Sequence, residues 1–220
     1  MNKYKKYKYA IFDLDGTLLN TLEDLKNSVN YSLKHFSMPE KTTEEIRLFL
    51  GNGAVSLFER SVPNGKYNPL FNDALKLFKE HYSKNNDIFT KPYDGIEHVL
   101  KCLKEKNIKS IIVSNKFDEA VKILADKYFS GLIDIAIGEN EKCGIKRKPH
   151  PDMVLKAIND LKADKKDCVY IGDSEVDIKT ARASGIDSII VSWGFRDREY
   201  LLKSGAEVII SKPYELLNYF

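Results

Sequence analysis

Cysteine is scarce in this chain: three occur among 220 residues, at positions 102, 143 and 168. They lie far apart, their number is odd, and no pair has the CxxC spacing of a zinc or redox site. This pattern argues against a disulfide framework and against a cysteine-bound metal. We interpret Cys102, Cys143 and Cys168 as reduced, small hydrophobic side chains of a cytoplasmic protein.

Long apolar runs and a strong charge of either sign are also missing. No stretch approaches the roughly 20 apolar residues of a membrane span, and the basic N-terminal segment lacks the apolar core of a signal peptide. The formal net charge is only +3, which is too slight to argue for nucleic-acid binding. We therefore expect a cytoplasmic protein, a monomer or a homodimer, that binds neither membranes nor nucleic acid.

The sequence also lacks the common nucleotide-binding loops. There is no GxxxxGK[ST] segment, and the glycines of residues 51–53 follow a helical pattern and lack the third glycine of a dinucleotide fingerprint. A calcium loop starting at Asp13 fails because Gly16 falls at its fourth position instead of its sixth.

Short apolar runs alternate with helical patterns through most of the chain. The predicted strands cover residues 8–14, 109–114, 132–138, 168–173 and 187–192. The predicted helices cover residues 95–106, 117–128, 151–162 and 175–184. Strand-helix alternation predicts a parallel sheet covered on both faces, and we expect an α/β fold with a Rossmann-like sheet.

Residues 21–86 interrupt this alternation because they contain helical patterns and no convincing strand. Their first helix has apolar residues at helical spacing, and Thr21 with Asp24 fits a capping box in which Asp replaces Glu. The sequence thus predicts an α/β core domain of residues 1–16 and 91–220. Residues 17–90 form an inserted, all-helical cap domain in this interpretation.

Polar residues follow three of the predicted strands. The segments are Asp13-Leu14-Asp15-Gly16-Thr17, Ser114-Asn115-Lys116 and Gly172-Asp173-Ser174-Glu175-Val176-Asp177. In an open parallel sheet, ligands bind outside the carboxyl ends of the strands, so we expect these segments to converge on one site. Carboxylates gathered there would repel one another unless a cation lay between them, and their oxygens suit Mg²⁺.

With these motifs, the chain resembles the haloacid dehalogenase-like hydrolases over nearly its whole length. Four motifs occur in the family's order. They are the Asp13–Thr17 segment, the strand that ends at Ser114, Lys148 before Pro149, and the segment from Gly172 to Asp177. Within one branch of the family, Gly51-Asn52-Gly53 and Ser114-Asn115-Lys116 look most like phosphoglycolate phosphatases.

The resemblance implies a role for each motif. Asp13 is expected to be the nucleophile that forms an aspartyl-phosphate, and Asp15 the general acid and base. The family's dehalogenases lack the second aspartate, since a halide needs no proton when it leaves. Asp15 therefore favours phosphoryl transfer.

The same resemblance implies which groups balance the charge of the transition state. Lys148, Ser114 and the Gly16 amide would contact the phosphoryl oxygens. Mg²⁺ would bind the Asp13 carboxylate, the Asp15 carbonyl and Asp173. Asp177 would orient Lys148 or a metal-bound water, and we count it among the metal-site residues.

Further residues are expected to bind a small phosphorylated metabolite. Exposed amides at a helix start bind anions, so the turn of Gly51, Asn52 and Gly53 is a candidate for a substrate carboxylate. Thr17 and Asn115 are assigned to the substrate site as well, and Lys116 is a candidate for a second anionic group.

The sequence thus predicts a Mg²⁺-dependent phosphatase that favours phosphoglycolate-type substrates. A pyrophosphatase, a nucleotidase and a phosphomutase on the same fold stay open as alternatives. A non-catalytic binding protein is disfavoured because the acidic and basic motif residues are all present.

Overall fold

The computed structural model describes residues 4–140 and 144–220, so Cys143 lies outside the described part of the chain. Cys102 and Cys168 are free thiols. None of the described helices is long and apolar enough to cross a membrane. The chain divides into two compact units, one of Met1–Leu19 with Pro92–Phe220 and the other of Asn20–Lys91. That these units are separate domains, with the boundaries expected from the sequence, stays a prediction.

The larger unit contains a six-stranded sheet with the order β5-β4-β1-β6-β7-β8. Every described pairing between these strands is parallel. The strands are β1 (Tyr9–Phe12), β4 (Lys109–Phe117), β5 (Ile135–Glu139), β6 (Cys168–Gly172), β7 (Asp187–Val191) and β8 (Ile209–Ile210). Two further strands, β2 (Leu19–Asn20) and β3 (Lys91–Pro92), form a separate sheet at the two chain crossings between the units.

Helices cover both faces of the large sheet. They are α5 (Ile96–Glu105), α6 (Asp118–Phe129), α7 (Asp152–Asp160), α8 (Glu175–Ser184) and α9 (Arg198–Lys203), with a 3₁₀ helix at Pro213–Tyr219. Neighbouring residues of β1 show the two faces: Phe12 packs in the apolar core that includes α5 and α6, and Ile11 packs in the core that includes α7. This alternation is expected of a strand buried on both sides. The predicted α/β fold with a Rossmann-like parallel sheet is confirmed.

Several element boundaries differ from the sequence prediction. Strand β4 continues to Phe117 through a register shift after Val113, and β5 begins at Ile135 instead of residue 132. Strand β8 and helix α9 were not predicted, because two and six residues are too few to show a reliable periodicity.

The smaller unit is helical. Its helices are α1 (Leu22–His35), α2 (Thr43–Phe49), α3 (Ala54–Ser61) and α4 (Phe71–Asn85), with a 3₁₀ turn at Gly65–Tyr67. Its core contains an aromatic stack in which Phe78 lies parallel to Phe58, with ring centroids 5.0 Å apart, and to Tyr82, at 5.8 Å. Such stacked pairs add to the stability that apolar burial provides.

The predicted capping box at the start of α1 is wrong. The Thr21 side chain makes no cap hydrogen bond, and its buried hydroxyl has no partner among the described residues. Asp24 instead accepts hydrogen bonds from the backbone amides of Phe89 and Thr90, 65 and 66 residues away. The buried carboxylate thus satisfies two distant backbone donors, which no local sequence pattern reveals.

Candidate active site

The larger unit gathers charged side chains at the carboxyl ends of its central strands. Strand β1 lies between β4 and β6, and its hydrogen-bond ladder continues as the Asp13 amide donates to the Ile171 carbonyl at 2.8 Å. Asp13 follows β1 and Asp173 follows β6, while Ser114 lies within the extended β4. Because all three strands run the same way, these residues reach the same edge of the sheet.

Lys148 lies at the centre of this group. Its ammonium group is 2.8 Å from Asp13 Oδ1 and 2.9 Å from Asp177 Oδ1, and it donates to the Tyr170 hydroxyl at 3.0 Å. Burial favours the neutral amine, but the carboxylates of Asp13 and Asp177 outweigh burial and hold the pKa of Lys148 well above its usual range. The site therefore contains a permanent buried cation.

The backbone of Lys148 is fixed from β4. The side-chain oxygen of Asn115 accepts from the Lys148 amide at 2.7 Å, and the side-chain nitrogen donates to the Lys148 carbonyl at 3.0 Å. Both backbone groups of Lys148 are thus satisfied by one side chain. The sequence analysis assigned Asn115 to substrate binding; in the structure its amide positions Lys148.

Asp13 is buried, with all its described side-chain contacts on one oxygen. Oδ1 accepts from the Leu14 amide at 2.7 Å and pairs with Lys148. Burial raises the pKa of Asp13 to about 7; the Lys148 ammonium opposes this rise and the Asp177 carboxylate adds to it. The Lys148 ammonium therefore does not fully offset the effect of burial on Asp13.

Asp173 lies in a tight pocket of backbone. Its Oδ2 accepts from the Phe195 amide at 2.7 Å, and the Thr17 hydroxyl lies 3.5 Å from Oδ1. Gly16 has a φ of 87°, and any side chain there would collide with the Asp173 carboxylate. Burial and then the carboxylates of Asp177 and Asp13 raise the pKa of Asp173 well above its usual range.

Both oxygens of Asp177 are engaged. Oδ1 contacts Lys148 and accepts from the Tyr170 hydroxyl at 3.2 Å. Oδ2 accepts from the amides of Asp173 and Ser174, at 3.2 and 3.1 Å, and from the Ser174 hydroxyl at 2.6 Å. These contacts favour the orienting role that the sequence analysis gave Asp177, since they tie Lys148 to the first turn of α8.

Three carboxylates could hold a metal ion. Asp13, Asp173 and Asp177 each offer an oxygen, and these atoms all lie within 4.8 Å of one another. Hard oxygen donors suit Mg²⁺. Burial, and after it the neighbouring carboxylates, raise the pKa values of Asp13 and Asp173, and a divalent cation among these oxygens would favour the ionised carboxylates. The donor set therefore fits a divalent cation.

Asp15, two residues after Asp13, forms a second ion pair with Lys116. The Lys116 ammonium lies 2.9 and 3.1 Å from the two oxygens of Asp15. The backbone amide of Lys116 donates to the Ser114 hydroxyl at 3.2 Å. The Asp15 side chain is not part of the three-carboxylate group. The expected contact between the metal and the Asp15 backbone carbonyl stays a prediction.

The turn of Gly51, Asn52 and Gly53 belongs to the helical unit. Gly53 directly precedes α3 and has a φ of 83°. This conformation favours glycine, because a side chain there would strain the backbone. The expected role of the turn in substrate binding stays a prediction.

Tyr170 was not predicted as a part of the site. Trp193-Gly194-Phe195, in the loop after β7, was weighed as a wall of the pocket, but core packing was favoured. Tyr170 is fully buried within β6 and contacts Lys148 and Asp177, yet in sequence it is one more apolar-looking strand residue. The Phe195 amide binds Asp173, and Trp193 Nε1 donates to the Thr17 carbonyl at 3.0 Å. Only the loop's position after a strand of the same sheet could have pointed to it.

The raised pKa of Asp13 predicts a pH-dependent effect of Asp13→Asn on stability. Below about pH 4 the carboxyl is protonated in both folded and unfolded protein, and between about pH 4 and pH 7 only the folded protein keeps the proton. Rising pH therefore destabilises the wild type over this interval, and the asparagine variant lacks this loss. We expect the variant's free energy of unfolding to rise relative to the wild type, on the order of 1–3 kcal/mol, between about pH 5 and pH 8.

Urea unfolding in the presence of a chelator measures this difference. Asp187→Asn is the matched control: a hydrogen bond from Lys5 lowers the pKa of Asp187, so its titration lies below this pH range and its effect should stay constant. The free energy of unfolding of Asp13→Asn minus that of the wild type should rise with pH. A difference that stays constant or shrinks would contradict the raised pKa of Asp13.

Comparisons with known proteins agree with this site. The model of the haloacid dehalogenase-like hydrolase family matches residues 10–191. A phosphoglycolate phosphatase of Aquifex aeolicus is 31% identical over 189 residues, which cover 86% of each chain. A pyrophosphatase of Bacillus pumilus is 28% identical over 213 residues, which cover 94% of each chain.

Solved structures give the same result. A protein named “putative phosphoglycolate phosphatase” from Lactobacillus delbrueckii subsp. bulgaricus is similar with a TM-score of 0.90 and 39% identity, covering 96% of this chain and 97% of that chain. The residues that the family model matches include all but the first residue of β1, the whole of β4 and β6, and the charged groups that follow these strands. The chain therefore belongs to the haloacid dehalogenase-like hydrolases and is a phosphoric monoester hydrolase of that family.

Proposed function

We propose that this enzyme is a Mg²⁺-dependent phosphatase of small phosphorylated metabolites that works through an aspartyl-phosphate on Asp13. One observation carries the proposal: Asp13 is buried and ion-paired at 2.8 Å with a lysine that Asp177 and Asn115 hold in place. A nucleophile beside a fixed cation suits phosphoryl transfer, in which positioning and charge stabilisation supply most of the catalysis.

The reaction takes two steps. A carboxylate oxygen of Asp13 attacks phosphorus, and the bond from phosphorus to the ester oxygen breaks. The ester oxygen keeps the electron pair of that bond and takes a proton from Asp15. Asp15, now a carboxylate, then accepts a proton from water as the water oxygen attacks the phosphorus of the aspartyl-phosphate. The bond to Asp13 breaks, inorganic phosphate leaves, and both aspartates return to their starting forms.

The chain supplies several groups to stabilise the charge that develops on the phosphoryl oxygens. Lys148 brings a buried ammonium, and the Ser114 hydroxyl is the proposed hydrogen-bond donor. The Gly16 amide, which was expected to be a second donor, instead donates to the Leu19 carbonyl at 2.8 Å. Asp13, Asp173 and the Asp15 carbonyl would hold Mg²⁺, with Asp177 beside them. The ion would neutralise phosphoryl charge when bound.

Phosphoglycolate-type esters are the leading substrates, and a pyrophosphatase activity is the second candidate. The similarity to a phosphoglycolate phosphatase and to a pyrophosphatase supports both. Both substrates carry a second anionic group beside the reacting phosphate. The turn at Gly53 is the proposed binding site for this second group. Gly53 has a positive φ and no side chain to cover the first amides of α3.

A substrate and metal panel tests the proposal. We expect the chelated enzyme to be inactive, Mg²⁺ to restore hydrolysis, and Ca²⁺ to restore little because its longer bonds and higher coordination number spoil the in-line geometry. Phosphoglycolate, pyrophosphate, nucleoside monophosphates and p-nitrophenyl phosphate are compared by phosphate release. Full activity after chelation would refute the metal requirement, and a preference for nucleotides would refute the substrate class.

Gly53→Val tests the role of the turn before α3. Valine is strained at positive φ and crowds the amides, so we expect phosphoglycolate hydrolysis to fall by about tenfold or more, equivalent to about 1.4 kcal/mol in kcat/KM. Hydrolysis of p-nitrophenyl phosphate, which has no carboxylate, should fall much less.

Gly65→Val is the matched control for this substitution. Gly65 also has a positive φ, 54°, and lies in the same helical unit. We expect this variant to affect both substrates equally. Equal losses on both substrates for Gly53→Val would mean that the turn serves folding alone.

A further inference from the structure

The ion pair between Asp15 and Lys116 joins residues 101 positions apart in the chain. The lysine side chain is only 4% exposed and the aspartate side chain 21% exposed. The ammonium reaches both carboxylate oxygens, at 2.9 and 3.1 Å. A single buried group therefore contacts both oxygens of the Asp15 carboxylate.

This pair differs from the common surface pairs of the same unit. Lys156 pairs with Asp160 one helical turn away, and their side chains are 46% and 39% exposed. Such exposed pairs contribute little to stability. Burying an ammonium costs hydration that its partner does not always repay, so a buried pair is weak evidence for a stabilising role.

The backbone around Lys116 departs from a regular strand, and this departure directs the Lys116 side chain. The Lys116 amide donates to the Ser114 hydroxyl, and the pairing of β4 with β5 shifts register after Val113 and resumes at Phe117. A register shift of this kind re-aims side chains relative to a regular strand. In a regular strand, neighbouring residues would point to opposite faces. Here Asn115 reaches the Lys148 backbone and Lys116 reaches Asp15.

We propose that Lys116 is a positioning residue that holds the Asp15 carboxyl group for proton transfer to the leaving oxygen. This proposal rests on the proposed function, in which Asp15 is the general acid and base. It replaces the expectation that Lys116 binds a second anionic group of the substrate. One oxygen of Asp15 leaves the ammonium, takes up a proton from water and faces the leaving oxygen, to which it gives that proton. The other oxygen stays on the ammonium and limits rotation of the group.

Three substrates separate this role from anion binding. Phosphoglycolate has an alkyl leaving group and a carboxylate, ethyl phosphate has only the alkyl leaving group, and p-nitrophenyl phosphate has a leaving group that departs as a stable anion without a proton. The constant to measure is kcat/KM, which reports the steps up to departure of the leaving group. It excludes the later hydrolysis of the aspartyl-phosphate, where Asp15 acts as a base.

Lys116→Met removes the ammonium and keeps an unbranched side chain of similar length. We expect kcat/KM to fall about tenfold or more for both alkyl phosphates, since general acid catalysis supplies factors of about a hundred or more. The value for p-nitrophenyl phosphate should fall much less, and the retained hydrolysis of this substrate shows that the variant folds. The control Lys156→Met breaks an exposed pair and should change none of the three.

A double-mutant cycle tests whether Lys116 acts through Asp15. In an Asp15→Asn background, Lys116→Met should cause almost no further loss on the alkyl phosphates, because the group it positions is gone. A loss restricted to phosphoglycolate would overturn the proposal in favour of anion binding. Equal losses on all three substrates would overturn it in favour of a structural role.

Failure of the proposed function gives a different result. If Asp15→Asn alone lowers kcat/KM equally for alkyl and aryl phosphates, the general-acid role of Asp15 is wrong, and the proposal for Lys116 fails with it. If Asp15→Asn reduces alkyl hydrolysis but Lys116→Met does not, only the proposal for Lys116 is overturned.

Discussion

The buried ammonium group of Lys148 joins two of the carboxylates at the sheet edge, and the rest of the site depends on this contact. It pairs with Asp13 at 2.8 Å and with Asp177 at 2.9 Å, and removing one partner of such a buried pair is strongly destabilising. Burial, and after it the neighbouring carboxylates, raise the pKa values of Asp13 and Asp173. The proposed Mg²⁺ would favour the ionised form of both groups.

The fold makes this concentration of charge possible. A parallel sheet brings the ends of β1, β4 and β6 to one edge, and each strand supplies different chemistry. The structure then fixes each group with backbone or amide contacts: Asn115 holds Lys148, and the Phe195 amide holds Asp173. Hydrogen bonds of this kind let charged side chains stay buried in one geometry, which phosphoryl transfer requires.

The fold could be predicted from the sequence because its signals are local. Strands such as β6 are continuous apolar runs, and their alternation with helical patterns implies a parallel sheet. The residues that end β1 and β6 were identified for the same reason, since polar groups after buried strands stand out. The periodicity of α1 was equally clear, but its capping was not: Asp24 accepts from Phe89 and Thr90, far along the chain.

The contacts that organise the site were not predictable in this way. Tyr170 looks like an ordinary strand residue, and its hydroxyl acquires a role only because Lys148 and Asp177 arrive beside it. Asn115 and Lys116 were recognised as polar residues near a strand end. Which partner each would bind depends on the register shift in β4 and on residues 33 and 101 positions away.

The account depends most directly on Asp13 forming a covalent bond to phosphorus. Acid quenching of the enzyme during turnover of phosphoglycolate with Mg²⁺, followed by peptide mass spectrometry at low pH, tests this bond. We predict that the peptide containing Asp13 gains the mass of one phosphoryl group, that fragmentation places it on Asp13, and that Asp13→Asn shows no such gain. Phosphate release during the first turnover with no phosphoryl group on that peptide would contradict the account.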